Sequence, residues 1–253
     1  MSQIHTTLSN ALGYEPSNKN NGIFITATGT DVGKTYISAI LVKLLRQSGI
    51  NAGYYKPALS GADFIDGKII AGDCDYVCKI GNLPVDPNSL VTYTFQTPAS
   101  PHLASLIDSQ AQKGQALALQ ENPTPFVEKQ HLLSGYKELS SSYDFMVVEG
   151  CGGIMCPLHV DGGYSSPKTL LLSQLIQELN LNTVIVADAG LGTLNSVFLT
   201  MEYAKAKKIN VVSIILSRYD KTNFIHQDNK KQIELYTALP VLTCSEGAST
   251  IDF

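Results

Sequence analysis

The densest chemistry in the sequence lies in Thr26-Ala-Thr-Gly-Thr-Asp-Val-Gly-Lys-Thr35. An apolar run enters this segment, and a stretch with Ile37, Ile40, Leu41, Leu44 and Leu45 at helical spacing leaves it. A loop between a strand and a helix can turn its backbone N–H groups inward and cradle an anion. Gly33 keeps side chains out of the cradle, Lys34 supplies a point charge, and Thr35 offers a hydroxyl to Mg²⁺. The helix N-terminus adds its dipole. The pattern predicts that Thr28, Gly29, Thr30, Asp31, Val32, Gly33, Lys34 and Thr35 hold the phosphates of a nucleotide. An ordinary phosphate loop has Gly six residues before its Lys, where this chain has Thr28.

Other reactive groups sit at the ends of apolar runs. Lys56 closes Ala52–Lys56 and is followed by Pro57 and Ser60-Gly61. Glu149 closes Phe145–Glu149, where an unpartnered charge is costly. Lys34 and Lys56, read as the ends of adjacent strands, would offset the repulsion between an anion and a polyphosphate. Asp73 has Asp75 beside it, so an ordinary acidic turn stands as the alternative to a ligand role. Gly192-Thr193-Leu194-Asn195 opens a predicted helix whose free N–H groups suit a carboxylate. His102, in a Pro-rich stretch, reads as a structural residue, and Cys151 as a small buried filler.

These groups need a scaffold that gathers them. Five short runs read as buried parallel strands: Ile23–Thr28, Ala52–Lys56, Phe145–Glu149, Val184–Asp188 and Val211–Leu216. Helices are expected at Lys34–Ser48, Thr169–Leu179, Leu194–Lys207 and Asn229–Ala238. Alternation of strands and helices implies right-handed crossovers and an α/β, doubly wound, mostly parallel sheet in a single domain. Ligands of such sheets bind beyond the carboxyl ends of the strands. The stretch Ala71–Tyr143, with Pro84, Pro87, Pro98, Pro101, Pro123 and Pro125, reads as inserted helices and loops. Residues 1–22 read as a flexible extension, with the nucleotide-binding domain over 23–253.

Composition narrows the setting. Net charge is −4, and Lys/Arg blocks are absent, so nothing favours a nucleic-acid backbone. Five cysteines, with no C-x-x-C pair, point to a reducing, cytoplasmic compartment rather than a disulfide framework. No apolar run approaches the ~18 residues of a membrane span, and no signal peptide is expected. Charged residues make up only 16%, against about 25% in a typical domain. The deficit concentrates in 87–107, 150–160 and 189–201, which contain no Asp, Glu, Lys or Arg. Such segments are expected at a cleft or beneath a second subunit.

Taken in order, the motifs resemble those of the dethiobiotin synthetases, ATP-dependent carboxylating cyclases. Thr30, Val32, Gly33, Lys34 and Thr35 match the family loop, with Ala27 in place of its first Gly and Gly29 in place of its Asp. Tyr55-Lys56-Pro57 with Ser60-Gly61, then Gly72-Asp73, then Tyr93 through Pro98, Ser100, Pro101 and His102 follow the family pattern. Val148-Glu149-Gly150-Cys151-Gly152-Gly153 has Cys151 in an Ala place, and Gly190-Leu-Gly192-Thr-Leu-Asn195 is followed by Ser196 where the family has His.

The resemblance implies that 7,8-diaminononanoate, CO₂ and ATP yield dethiobiotin, ADP and phosphate, through a carbamate and a carbamic-phosphoric anhydride. It assigns catalysis to Lys34, Lys56, Thr30 and Ser60. Mg²⁺ falls to Thr35, Asp73 and Glu149. The nucleotide also touches Glu149, Gly152 and Ser217. Substrate contacts fall to Thr30, Lys56, Ser60, Pro98, Ser100, Gly192, Thr193, Leu194 and Asn195, the last four from the neighbouring subunit of a homodimer. Ser217 stands where the family has an adenine-reading Asn. It cannot make the amide's bidentate contact, so base selectivity is either relaxed or left to the backbone.

Other readings share the loop. A glutamine-dependent amidase would need a further domain with a nucleophilic Cys. A ParA-like switch would want a second Lys early in the loop and a basic surface. A degenerate paralogue would bind nucleotide without catalysis, against which Lys34, Lys56, Asp73 and Glu149 stand intact.

Overall fold

Alternation of apolar side chains along the strands sends successive residues into separate cores on opposite faces of one sheet. The computed structural model describes residues 11–13, 21–112 and 127–253. In β1 (Gly22–Ala27), Ile23 and Ile25 face one core and Phe24 the other. The first core takes Ile37, Leu41 and Leu45 of α1 (Lys34–Gln47) and Cys74 and Val77 of α2 (Gly72–Gly81). The opposite face is covered by α3 (Pro101–Gln112), α4 (Lys129–Ser140) and α5 (Leu172–Leu179), and further along by α6 (Thr193–Ala206) and α7 (Phe224–Thr237).

The remaining strands are β2 (Ala52–Ser60), β3 (Asp63–Ile65), β4 (Lys68–Ile70), β5 (Val91–Phe95), β6 (Phe145–Glu149), β7 (Pro157–His159), β8 (Leu170–Leu171), β9 (Asn182–Asp188), β10 (Val211–Ser217) and β11 (Val241–Cys244). Seven form a parallel sheet in the order β11-β10-β9-β1-β6-β2-β5, while β3–β4 and β7–β8 are small antiparallel pairs. The five expected strands are all present. The order corrects one expectation. β1 and β2 are not neighbours, because β6 lies between them. Glu149, at the end of β6, is thereby set between the two lysines.

Two strands of the seven-stranded sheet escaped the sequence reading, as did the two small antiparallel pairs. Val91–Phe95 (Val-Thr-Tyr-Thr-Phe) is the sheet's edge strand, inside the stretch read as helices and loops. Its β-branched and aromatic composition suits a pleated, half-buried surface, but the surrounding prolines masked it. Val241–Cys244 forms the other edge. Pro123 and Pro125 lie outside the described residues. Within the span read as a flexible extension, Ala11 and Leu12 are helical, and Leu12 is fully buried in the first core. Asn182 Nδ2 donates toward the Leu12 and Gly13 carbonyls at 3.4 Å. Ala11 and Leu12 thus belong to the packed core.

Candidate active site

The turn from β1 into α1 builds the anion cradle. Gly33 caps α1 at φ 90°, in the left-handed region, with no side chain capping the helix, so its first N–H groups are left for a ligand. A Cβ at Gly33 would also come within 3.2 Å of the Ser217 Cβ. Lys34 curls back over the loop, its Nζ donating to the Gly29 carbonyl at 2.9 Å. Burial lowers the Lys34 pKa, nearby Lys56 lowers it further, and Glu149 opposes them.

One loop-related expectation is corrected. The Thr28 N–H is not aimed into the cradle, because it extends the sheet by donating to the Val186 carbonyl at 3.1 Å. The Ser217 side chain is turned toward the loop. It is buried, and its hydroxyl donates to the Val32 carbonyl at 2.7 Å, with the Ala187 carbonyl at 3.2 Å as a second acceptor. A short hydroxyl at the end of β10 is thus spent on holding the loop. Next to it, Arg218 donates from both terminal nitrogens to the Asp31 carbonyl at 3.1 Å and from Nε to Asp188 at 2.7 Å. Sequence reasoning missed Arg218 as a site residue. Its signal was position, a cation directly after a buried strand.

Lys56 lies at the centre of the charged cluster. Its Nζ stands 2.6 Å from Asp73 Oδ2 and 2.6 Å from Glu149 Oε1. Burial alone would depress its pKa, but Glu149 and Asp73 outweigh burial and hold the ammonium well above its ordinary value. Burial pushes the Asp73 pKa up, and Lys56 more than reverses that. Glu149 is fully buried and accepts two further bonds, from Thr35 Oγ1 at 2.8 Å and from Tyr54 Oη at 2.8 Å. Tyr54 was not anticipated, although it stands two residues before Lys56 and so shares its face of β2. These contacts decide against the acidic-turn reading of Asp73.

Thr35, Asp73 and Glu149 present only oxygen donors, the chemistry Mg²⁺ selects. Among the described residues no group of three or more His, Cys, Asp or Glu could hold a metal. A cation here would therefore take few protein ligands and complete its shell with water and phosphate oxygens, as Mg²⁺ does.

The cluster opens into a cavity of about 730 Å³ lined by Thr30, Asp31, Gly33, Lys34, Thr35, Lys56, Ser60, Asp73, Pro98, Ser100, Glu149, Gly152 and Arg218, among others. The carboxyl ends of β1, β2, β5 and β6 thus contribute to one space. The Ser60 hydroxyl is buried with no hydrogen-bond partner among the described residues. The structure does not bring Gly192, Thr193, Leu194 or Asn195 to this cavity. They open α6, whose cap Gly192 has φ 91° and no side-chain cap, and the Thr193 hydroxyl is buried without a partner among the described residues. Leu191, just before them, is 95% exposed.

A family profile described as an AAA domain matches residues 21–247. Among solved structures, the MinC:MinD cell division protein complex of Aquifex aeolicus is 12% identical, covering 89% of this chain and 81% of that chain with a TM-score of 0.49. Curated relatives are far more similar. The ATP-dependent dethiobiotin synthetase BioD of Clostridium botulinum (strain Okra / Type B1) is 41% identical over 231 residues, 91% of this chain and 93% of the relative. The protein of the same name from the Langeland strain is also 41% identical over 231 residues, with the same coverage. At that identity and coverage, the chain belongs to the ATP-dependent dethiobiotin synthetase family.

Proposed function

We propose that the protein carboxylates and cyclises 7,8-diaminononanoate with CO₂ and ATP to give dethiobiotin, ADP and phosphate. One observation carries the reading beyond family membership. The anion cradle, the Lys56 cluster and the Ser60/Ser100 wall share a single cavity. A phosphate-binding loop alone would serve many functions; a buried cation and unsatisfied hydroxyl facing it suit a second, anionic reactant.

The chemistry runs in three stages. One amine of the substrate attacks CO₂ and loses a proton, giving a carbamate. A carbamate oxygen attacks the γ-phosphorus, and ADP leaves. The second amine attacks the carbonyl of the mixed anhydride and expels phosphate, closing the cyclic urea. Each intermediate carries negative charge next to a polyphosphate. Lys34 and Lys56 offset that charge, and a cavity of low dielectric strengthens their effect. Thr30, Ser60, Pro98 and Ser100 orient the diamine and carbamate, so that reacting atoms meet without further loss of freedom. The loop backbone from Gly29 to Thr35 and Gly152 hold the phosphates. Thr35, Asp73 and Glu149 would hold Mg²⁺, which when bound supplies positive charge that offsets the phosphates.

The substrate's carboxylate is assigned to the N–H groups of Gly192–Asn195 contributed by a second copy. The distance of these residues from the cavity lining and the exposed Leu191 support a homodimer with composite sites. Among the described residues no helix is long and apolar enough to cross a membrane. A cytoplasmic location is proposed from the cysteine usage. Incubation with the diamine, bicarbonate, Mg²⁺ and ATP should give the cyclic urea by mass spectrometry. Its absence would remove the reading in favour of a nucleotide-binding paralogue.

A further inference from the structure

A loop that turns its N–H groups toward phosphate must turn carbonyls away from it, and those carbonyls need partners of their own. Two successive carbonyls of the phosphate loop find them at the end of β10. Ser217 serves Val32, and Arg218 serves Asp31, whose carbonyl accepts from both Nη1 and Nη2 at 3.1 Å. Asp31 is in the left-handed region at φ 59°, where a residue with a Cβ persists only when its surroundings hold it. The Arg218 fork is one such hold.

The same guanidinium reaches away from the loop. Its Nε donates to Asp188 Oδ2 at 2.7 Å, and Asp188 is the last residue of β9. The other carboxylate oxygen, Oδ1, accepts the Gly190 N–H at 2.7 Å. Asn229 of α7, itself buried, clamps this turn by donating to the Ala189 carbonyl at 2.9 Å and to the Gly190 carbonyl at 3.0 Å. The turn runs directly into α6, whose Thr193 N–H donates to the Gly190 carbonyl at 3.3 Å. A continuous series of hydrogen bonds therefore joins α7, the start of α6 and the tip of the phosphate loop. Arg218 and Asp31 line the cavity, and Asp188 and Gly190 do not. The Arg218 and Asp188 side chains are 44% and 40% exposed, and an ion pair so exposed contributes little stability. What the arrangement supplies is placement.

We infer that Arg218 is a positioning residue that latches the tip of the phosphate loop to the β9–α6 turn, so that this turn, outside the cavity, sets how tightly the cradle takes a nucleotide's phosphates. By linkage, phosphates in the cradle bias the start of α6 by the same factor. The inference rests on the nucleotide half of the proposed function and not on the diamine.

Calorimetry on the full chain, with the Mg²⁺ complex of a non-hydrolysable ATP analogue, tests it. Arg218→Ala should weaken binding about tenfold. Arg218→Lys keeps the charge but not the fork, and should lose as much. Asp188→Asn sets an amide NH₂ against one of two donors whichever way it turns, and should weaken binding about threefold. Gly190→Ala should do the same, because its added Cβ would lie 3.0 Å from Asp188 Oδ1 and displace the carboxylate. In an Arg218→Ala background neither change should weaken binding further, whereas a general disturbance of the turn would add to the loss. In steady state the ATP KM should rise while kcat at saturating ATP stays within about twofold, because bound phosphates restore the loop. Full affinity in Arg218→Lys, effects at Asp188 and Gly190 that multiply with Arg218→Ala, or a fall in kcat at unchanged ATP KM would each overturn the inference. Analogue binding needs no turnover, so failure of the ligase reading would show separately, as no cyclic urea from the unaltered protein.

Discussion

A single side chain, Lys56, joins most of the reactive groups of this cavity. It neutralises two carboxylates while one of them, Glu149, binds the hydroxyl of Thr35 at the mouth of the phosphate loop. Replacing it should have two separable effects. Lys56→Ala should abolish cyclic urea formation while leaving nucleotide binding by calorimetry largely intact, since the cradle is built from loop backbone and Lys34. Loss of nucleotide affinity instead would move Lys56 into the phosphate site. It should also lower unfolding stability by about 3–5 kcal/mol in urea titration, because Glu149 would keep a buried charge without its cation. The importance of Lys56 and Glu149 was legible in the sequence, since both are charges closing apolar runs. Tyr54 and Arg218 were not, because neither carries a motif and only three-dimensional proximity reveals their partners.

At the scale of elements, the decisive arrangement is the insertion of β6 between β1 and β2. Hydrophobic pattern identified these strands but not their order, since a buried parallel strand is apolar on both faces and carries no mark of its neighbour. β5 was missed for a related reason: prolines on either side outweighed a five-residue run of β formers. The phosphate loop shows a different limit. Its composition announced phosphate binding, yet the brace from Ser217 to Val32 depends on a strand far along the chain. Ser217→Ala should remove that brace, raise the KM for ATP several-fold and cost about 1 kcal/mol of stability. Unchanged ATP kinetics would show that the loop holds its shape without it. Because the Ser217 hydroxyl is committed to the Val32 carbonyl, the same steady-state assay with GTP and CTP tests whether base selectivity is relaxed.

For the whole molecule, the sequence carried the fold class and most of the cavity's lining, while the proposed role of the Gly192–Asn195 helix start needs a second copy. Two of the exposed apolar side chains lie beside that helix start. Leu191 and Leu199 are 95% and 64% exposed. We propose that Leu191 belongs to the interface with that copy. Leu191→Glu should shift the protein toward monomer in sedimentation velocity and raise the diamine KM with little change in nucleotide affinity. A variant that remains dimeric with normal kinetics would place the interface elsewhere.

The position of β1 in the sheet has a consequence for how the protein is made. β1 is early in the chain, yet its partners come late: Ile23 pairs with Val147 of β6 and with Asn182 of β9. During synthesis its apolar face waits, uncovered, until most of the polypeptide has emerged. Pairings so distant in sequence are slow to form and leave strand edges open to aggregation in the meantime. Nascent chains that end before β9 should therefore hold no nucleotide and depend on chaperones, and the phosphate loop, although encoded early, becomes competent only near the end of folding.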